Sequence, residues 1–138
     1  AHTARVRETY RVHRDRMIQC IRDELPEVSV DTPSGGYYLW LTLPSDIDGD
    51  ELAKRASAGG VGILGPGRCY AHADGGHRKN HVRTAFTHAT LEEIDEGVRR
   101  LSVAFKSIAS DPRRSPRADD VVVAQTTATN AAHSRVIA

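Results

Sequence analysis

Asn80-His81-Val82-Arg83-Thr84-Ala85-Phe86-Thr87, followed almost at once by Thr90 to Ser107, decides how this chain folds. The first run has the β-branched and aromatic content of a strand, and a single arginine faces one way from otherwise apolar or small neighbours. Thr90 with Glu93 three residues on is a capping box, so a helix starts there. Ile94, Val98, Leu101, Phe105 and Ile108 recur at helical spacing and make one apolar stripe. A strand that runs straight into a one-sided helix needs more strands beside it and another helix to cover them.

Upstream residues supply both. Val61 to Leu64 reads as a short apolar strand closed by a tight turn, Gly65-Pro66-Gly67. Asp48 with Glu51 resembles a second capping box, opening a helix that ends near Ala58 at the Gly59-Gly60 stop. Residues 37 to 43, with Tyr37, Tyr38 and Trp40, form the best strand of the chain. Pro33-Ser34-Gly35-Gly36 before it is turn chemistry. Val28 to Val30 is a further short strand. Residues 4 to 25 read as a helix, with Val6, Tyr10, Met17, Ile21 and Leu25 on one face, stopped by Pro26. No cap precedes this helix, so the chain is expected to begin inside a longer one. The predicted order is helix, strand, strand, helix, strand, strand, helix. That is an α+β domain: a small, mainly antiparallel sheet of three to four strands packed by helices. Its predicted limits are residues 1 to 109. Residues 71 to 80 read as a polar loop. Residues 110 to 138 read as a disordered tail, in which only Val121 to Val123 offers an edge strand.

Composition narrows the function. The 138 residues suit one domain, and 39% hydrophobic with 27% charged residues suits a globular one. A formal net charge of +1 gives no field for nucleic acid. Arg113, Arg114 and Arg117 are offset by Asp111, Asp119 and Asp120. No apolar run approaches the ~20 residues of a membrane span, and no signal segment is visible. Cys20 and Cys69 read as free thiols in a reducing, cytoplasmic compartment. His72, His77, His81 and His88 lack a metal-ligand spacing, and neither cysteine stands in a ligand pair, so no metal is expected. Cys69 beside Arg68 lacks the His and acid that would mark a nucleophile. No catalytic residue is assigned.

Arg83 is the candidate that remains. Its planar fork can hold both oxygens of a carboxylate, and the strand fixes where the fork points, which argues for an amino acid or 2-oxo acid ligand. Pairing with a surface Asp or Glu is the alternative. Gly35 and Gly36 read first as turn residues and second as small residues that leave substrate room. Tyr37, Tyr38 and Trp40 read as core and interdomain packing. Gly65-Pro66-Gly67 with Arg68 reads as a plain turn, with a backbone cradle for an anion as the alternative.

In this order, the pieces resemble the C-terminal small domain of fold type I, pyridoxal-phosphate-dependent aminotransferases of class I and II. They lie nearest the 2-aminoadipate and kynurenine aminotransferase branch. The resemblance rests on Tyr10-Arg11-Val12-His13-Arg14-Asp15, Pro33-Ser34-Gly35-Gly36-Tyr37-Tyr38-Leu39-Trp40, Gly62-Ile63-Leu64-Gly65-Pro66-Gly67, Val82-Arg83-Thr84-Ala85-Phe86, and the run Glu92 to Leu101. It implies that Arg83 binds the substrate's α-carboxylate. It also implies a pyridoxal 5'-phosphate cofactor held by a large domain absent from these residues, joined in cis or in trans, and a homodimeric parent. The motif of the Schiff-base lysine is not among them: Lys54 and Lys106 sit on exposed helix faces and Lys79 in a loop of other context. The resemblance thus points to part of an aminotransferase, as a truncated product, an excised piece or half of a split enzyme, inactive alone. The rival readings are the effector domain of an aminotransferase-like transcriptional regulator and a free-standing interaction module.

Overall fold

The computed structural model describes residues 2–70 and 79–113. The elements are α1 (His2–Glu24), β1 (Ser29–Val30), β2 (Tyr38–Thr42), α2 (Gly49–Ala58), α3 (Pro66–Cys69), β3 (His81–Ala85) and α4 (Leu91–Ala109). The three strands form one antiparallel sheet in the order β1-β2-β3. Architecture and class agree with the α+β expectation. Val121 to Val123 and most of the expected tail lie outside the described residues, as does the greater part of the 71–80 loop.

Alternation along β2 splits the sheet into two faces. Leu39 and Leu41 are buried, while Tyr38, Trp40 and Thr42 are exposed. Opposite residues of an antiparallel pair share a face. Val82 lies across from Leu41 and joins the buried side, and Arg83 lies across from Trp40 and joins the open side. The buried side packs with Ile21, Leu25, Leu52, Phe86, Ile94, Leu101 and Phe105 in one core. The stripe predicted on α4 is buried at all five positions. Of the α1 stripe, only the C-terminal half is fully buried; Val6 and Tyr10 stay partly exposed because α1 outruns the core.

The helix ends explain themselves. Thr90 Oγ1 accepts from the Glu93 N–H at 3.2 Å and the Glu93 carboxylate accepts from the Thr90 N–H at 2.8 Å, a complete capping box. The Asp48 box is only half made. Asp48 accepts from the N–H groups of Asp50 and Glu51, but the Glu51 carboxylate turns to Arg55 at 2.7 Å instead. An arginine one turn on, at (i, i+4), is a stronger partner than an exposed N–H. Gly60, at φ +83°, ends α2 with the left-handed residue such a stop requires.

Two expectations around Gly65 change. Residues 61 to 64 do not form a strand. Leu64 alone exchanges backbone hydrogen bonds with Arg83, at 2.8 and 2.9 Å. The next pairing position would be Pro66, which has no N–H to give. Gly65-Pro66-Gly67 is also more than a turn: Pro66 opens the short helix α3, where its fixed φ suits the first position.

Candidate functional site

Arg83 is held from both sides of its strand. Its backbone bonds go to Leu64, so its pairing with Trp40 on β2 is the non-hydrogen-bonded kind, in which side chains approach most closely. Tyr38 is the diagonal neighbour on the same face. The Arg83 guanidinium carbon sits 4.2 Å from the centre of the Tyr38 ring, stacked on it. Trp40 in turn lies 6.1 Å from Tyr70, ring to ring, at 31°. Tyr38 and Trp40 therefore flank one half-buried guanidinium, with Tyr70 beyond Trp40.

Among the described residues that guanidinium meets no carboxylate. Arg11, Arg14, Arg16, Arg55, Arg99, Arg100 and Arg113 each pair with an acid, whereas Arg5, Arg7, Arg22 and Arg68, which pair with none among the described residues, are exposed, unlike half-buried Arg83. No acid among the described residues pairs with Arg83, and its Nε is buried without a hydrogen-bond partner there. A buried, unsatisfied charged donor costs free energy until an acceptor arrives. The surface ion-pair alternative finds no partner among the described residues.

The glycine pair sits elsewhere. Gly36, at φ +94°, needs to be glycine, and a side chain at Gly35 or Gly36 would meet nothing within 4 Å. The pair faces a groove of about 570 Å³ against α1, lined by Thr3, Arg7, Tyr10, Arg14 and Tyr37 among others. Arg14 donates to the Pro33 carbonyl at 2.9 Å, and His13 Nδ1 lies 3.3 Å from the Phe86 carbonyl. One helix thereby steadies both the glycine turn and the end of β3. Turn and space are both real at Gly35-Gly36. Adjacent Tyr37 and Tyr38 connect them to Arg83, with Tyr37 against Tyr10, 5.9 Å and edge-on.

No family model matches the chain. It is 34% identical over 106 residues to aromatic-amino-acid aminotransferase 1 of Thermococcus litoralis, covering 76% of this chain and 25% of that protein. The fold superposes on the Pyrococcus horikoshii kynurenine aminotransferase at TM-score 0.71 with 33% identity, over 80% of this chain and 27% of the other. It superposes on LysN, the α-aminoadipate aminotransferase of Thermus thermophilus, at TM-score 0.70 with 31% identity, over 78% and 27%. Over about three quarters of its length this domain is similar to pyridoxal-phosphate-dependent aminotransferases. The chain spans about a quarter of the length of the curated relatives it matches. The HTH-type transcriptional regulator TauR of Rhodobacter capsulatus is also similar, at 30% identity over 77% of this chain and 22% of that protein.

The described residues do not by themselves fit the cofactor of these relatives. Lys54, Lys79 and Lys106 are all exposed, whereas a lysine that forms an imine is activated by desolvation or a neighbouring cation. Burial and the hydrogen bond to Asp95 push the Cys20 thiol up to about 11, away from the thiolate form a nucleophile needs. Both cysteines are free. Among the described residues no His, Cys, Asp and Glu cluster suits a metal, and no helix is long and apolar enough to cross a membrane.

Two further readings change with the geometry. Tyr37, Tyr38 and Trp40 are not core; they are 56%, 45% and 43% exposed, because the pleat spends its buried positions on Leu39 and Leu41. The Gly65-Pro66-Gly67 cradle is filled by the domain itself. The Gly67 N–H donates to both carboxylate oxygens of Asp50 at 3.2 Å, so no external anion is needed there. Asp50 and the stacking role of Tyr38 were not found from sequence. The signal for Tyr38 was present, since a two-residue step from Trp40 puts both on one face.

Proposed function

We propose that this chain is the substrate-carboxylate-binding domain of a pyridoxal-phosphate-dependent amino acid aminotransferase, whose parent reaction moves an amino group from an amino acid to a 2-oxo acid. The observation that carries this reading is the Arg83 fork, fixed on the open sheet face, stacked on Tyr38 and lacking an acid among the described residues. In this role Arg83 receives the α-carboxylate, and Gly35 and Gly36 keep the approach to β2 free of side chains. The aromatic face of Tyr38, Trp40 and Tyr70 then closes against a large domain, in cis or in trans, that holds the cofactor and supplies the lysine. When bound, the cofactor supplies the electron sink for amino transfer. The parent is a cytoplasmic homodimer, and the chain alone binds carboxylate without turning substrate over.

The similarity to TauR supports a second reading, in which the same fork binds the effector of a transcriptional regulator. Both readings share one test. The purified chain is titrated with 4-methyl-2-oxopentanoate and, separately, with the corresponding amide, following the emission of Trp40, the sole tryptophan. A saturable response to the acid, absent for the amide and lost in Arg83→Ala, is the expected result. Equal responses in wild type and Arg83→Ala would remove Arg83 from the role. A DNA-binding module encoded upstream would favour the regulator.

A further inference from the structure

The geometry points to Tyr38 as the positioning residue of the carboxylate receptor: its ring, with no acid among the described residues paired to Arg83, holds the guanidinium in place. This rests on the reading of Arg83 as that receptor.

An arginine side chain has many rotamers, and one that projects from a sheet into an open face loses freedom only where something fixes it. In many binding sites a protein carboxylate does so, but it also occupies the fork and competes with the ligand. Here the fixing group is an aromatic face. The guanidinium sits over the Tyr38 ring, its carbon 4.2 Å from the ring centre. Stacking uses the flat side of the cation and leaves its in-plane N–H groups for hydrogen bonds. The ring also covers that side from water, and Nε is buried without a partner among the described residues. Register makes the arrangement specific. Tyr38 is opposite Ala85, whose small side chain leaves the diagonal path to Arg83 clear, and Trp40 is directly opposite Arg83. Tyr37 is held separately against Tyr10. The relevant property of Tyr38 is its ring, so phenylalanine should serve and an aliphatic residue should not.

Two measurements on the full chain decide this. The first is the amide and guanidine proton NMR spectrum. The Arg83 Nε–H resonance, assigned by its loss in Arg83→Lys, should be displaced by the ring current in wild type and in Tyr38→Phe, and should return to the ordinary arginine position in Tyr38→Leu. The second is the titration with 4-methyl-2-oxopentanoate. Tyr38→Phe should bind like wild type, and Tyr38→Leu about three-fold more weakly, the scale of one partly exposed cation–π contact. The response to the matched amide should not change in either. Tyr38 is on the open face, so both variants are expected to fold, and circular dichroism checks this. Wild-type affinity in Tyr38→Leu, with Arg83→Ala still dead, would overturn the positioning role and leave Arg83 as receptor. An acid response unchanged in Arg83→Ala would overturn the receptor reading and this inference with it. Weakening in Tyr38→Phe equal to that in Tyr38→Leu would overturn the stacking account, because it would make the hydroxyl the working group.

Discussion

Replacing Arg83 by lysine in an aminotransferase that contains this domain tests the receptor more severely than removing the charge. Lysine keeps the charge on the same strand but changes its form. A fork that makes two parallel bonds to a carboxylate becomes a compact ammonium with a shorter reach, and the flat surface that lies 4.2 Å over Tyr38 is lost. A bond to a charged group is worth about 1.5–3 kcal/mol, so losing one of two costs on the order of 10- to 100-fold in kcat/KM. Misplacing the reacting end by about 1 Å costs a similar factor again. The expected fall for an α-amino acid is therefore on the order of 100-fold or more. An amine lacking the α-carboxylate never used the fork and should fall much less. The assay is the ratio of the two falls in the same variant. Equal falls would mean that the substitution damages the sheet and not the recognition of a carboxylate. The receptor would then have to be sought outside Arg83.

Other outcomes follow from the same geometry. Mixed with pyridoxal phosphate, reduced with borohydride and digested, the chain alone should show only scattered trace label, because all three lysines are exposed; stoichiometric label on one lysine would contradict this. A chain ending at Arg113 should melt like the full chain, as the core stops at Ile108. Ending it at Ser110 should lower the melting temperature slightly, because Asp111 accepts from Arg55; a drop of several degrees in the first variant would show that later residues dock on the core. Gly65→Ala should destabilise by roughly 1–3 kcal/mol in chemical denaturation, since the added carbon meets the carboxylate and, at 2.8 Å, the Cα of Asp50; an unchanged midpoint would mean that α3 shifts freely. Arg16 holds the Asp95 carboxyl down to about 2, and Arg99 and Arg100 do the same for Glu96. Both are depressed in the folded state, so their contribution is fully present above about pH 4.5 and is lost as pH falls toward 2. Asp95→Asn should flatten acid unfolding in that window, as circular dichroism against pH would record.

Much of this domain is written in short-range signals. The helix breaks at Pro26 and Gly59-Gly60, the Thr90–Glu93 box and the stripe from Ile94 to Ile108 are local properties. They hold wherever the segment sits, because capping and amphipathicity involve residues three and four apart. The strand carrying Arg83 was legible for the same reason, and so was the candidacy of Arg83 itself. Tertiary structure decided the rest. Residues 61 to 64 have a strand's composition, but pairing needs a partner with donors in register, and Pro66 removes the next one. Glu51 has the position of a capping residue, yet Arg55 outcompetes the backbone for it. Tyr38 and Trp40 have the hydrophobicity of core residues, and only the pleat of β2 against β3 turned them to the open face. That Arg83 rests on a tyrosine, with no acid beside it among the described residues, follows from the register that sets Trp40 opposite Arg83 and Tyr38 opposite Ala85, residues distant along the chain. Sequence alone fixed which residues prefer helix or strand. The register of two distant strands determined which of them surround the arginine.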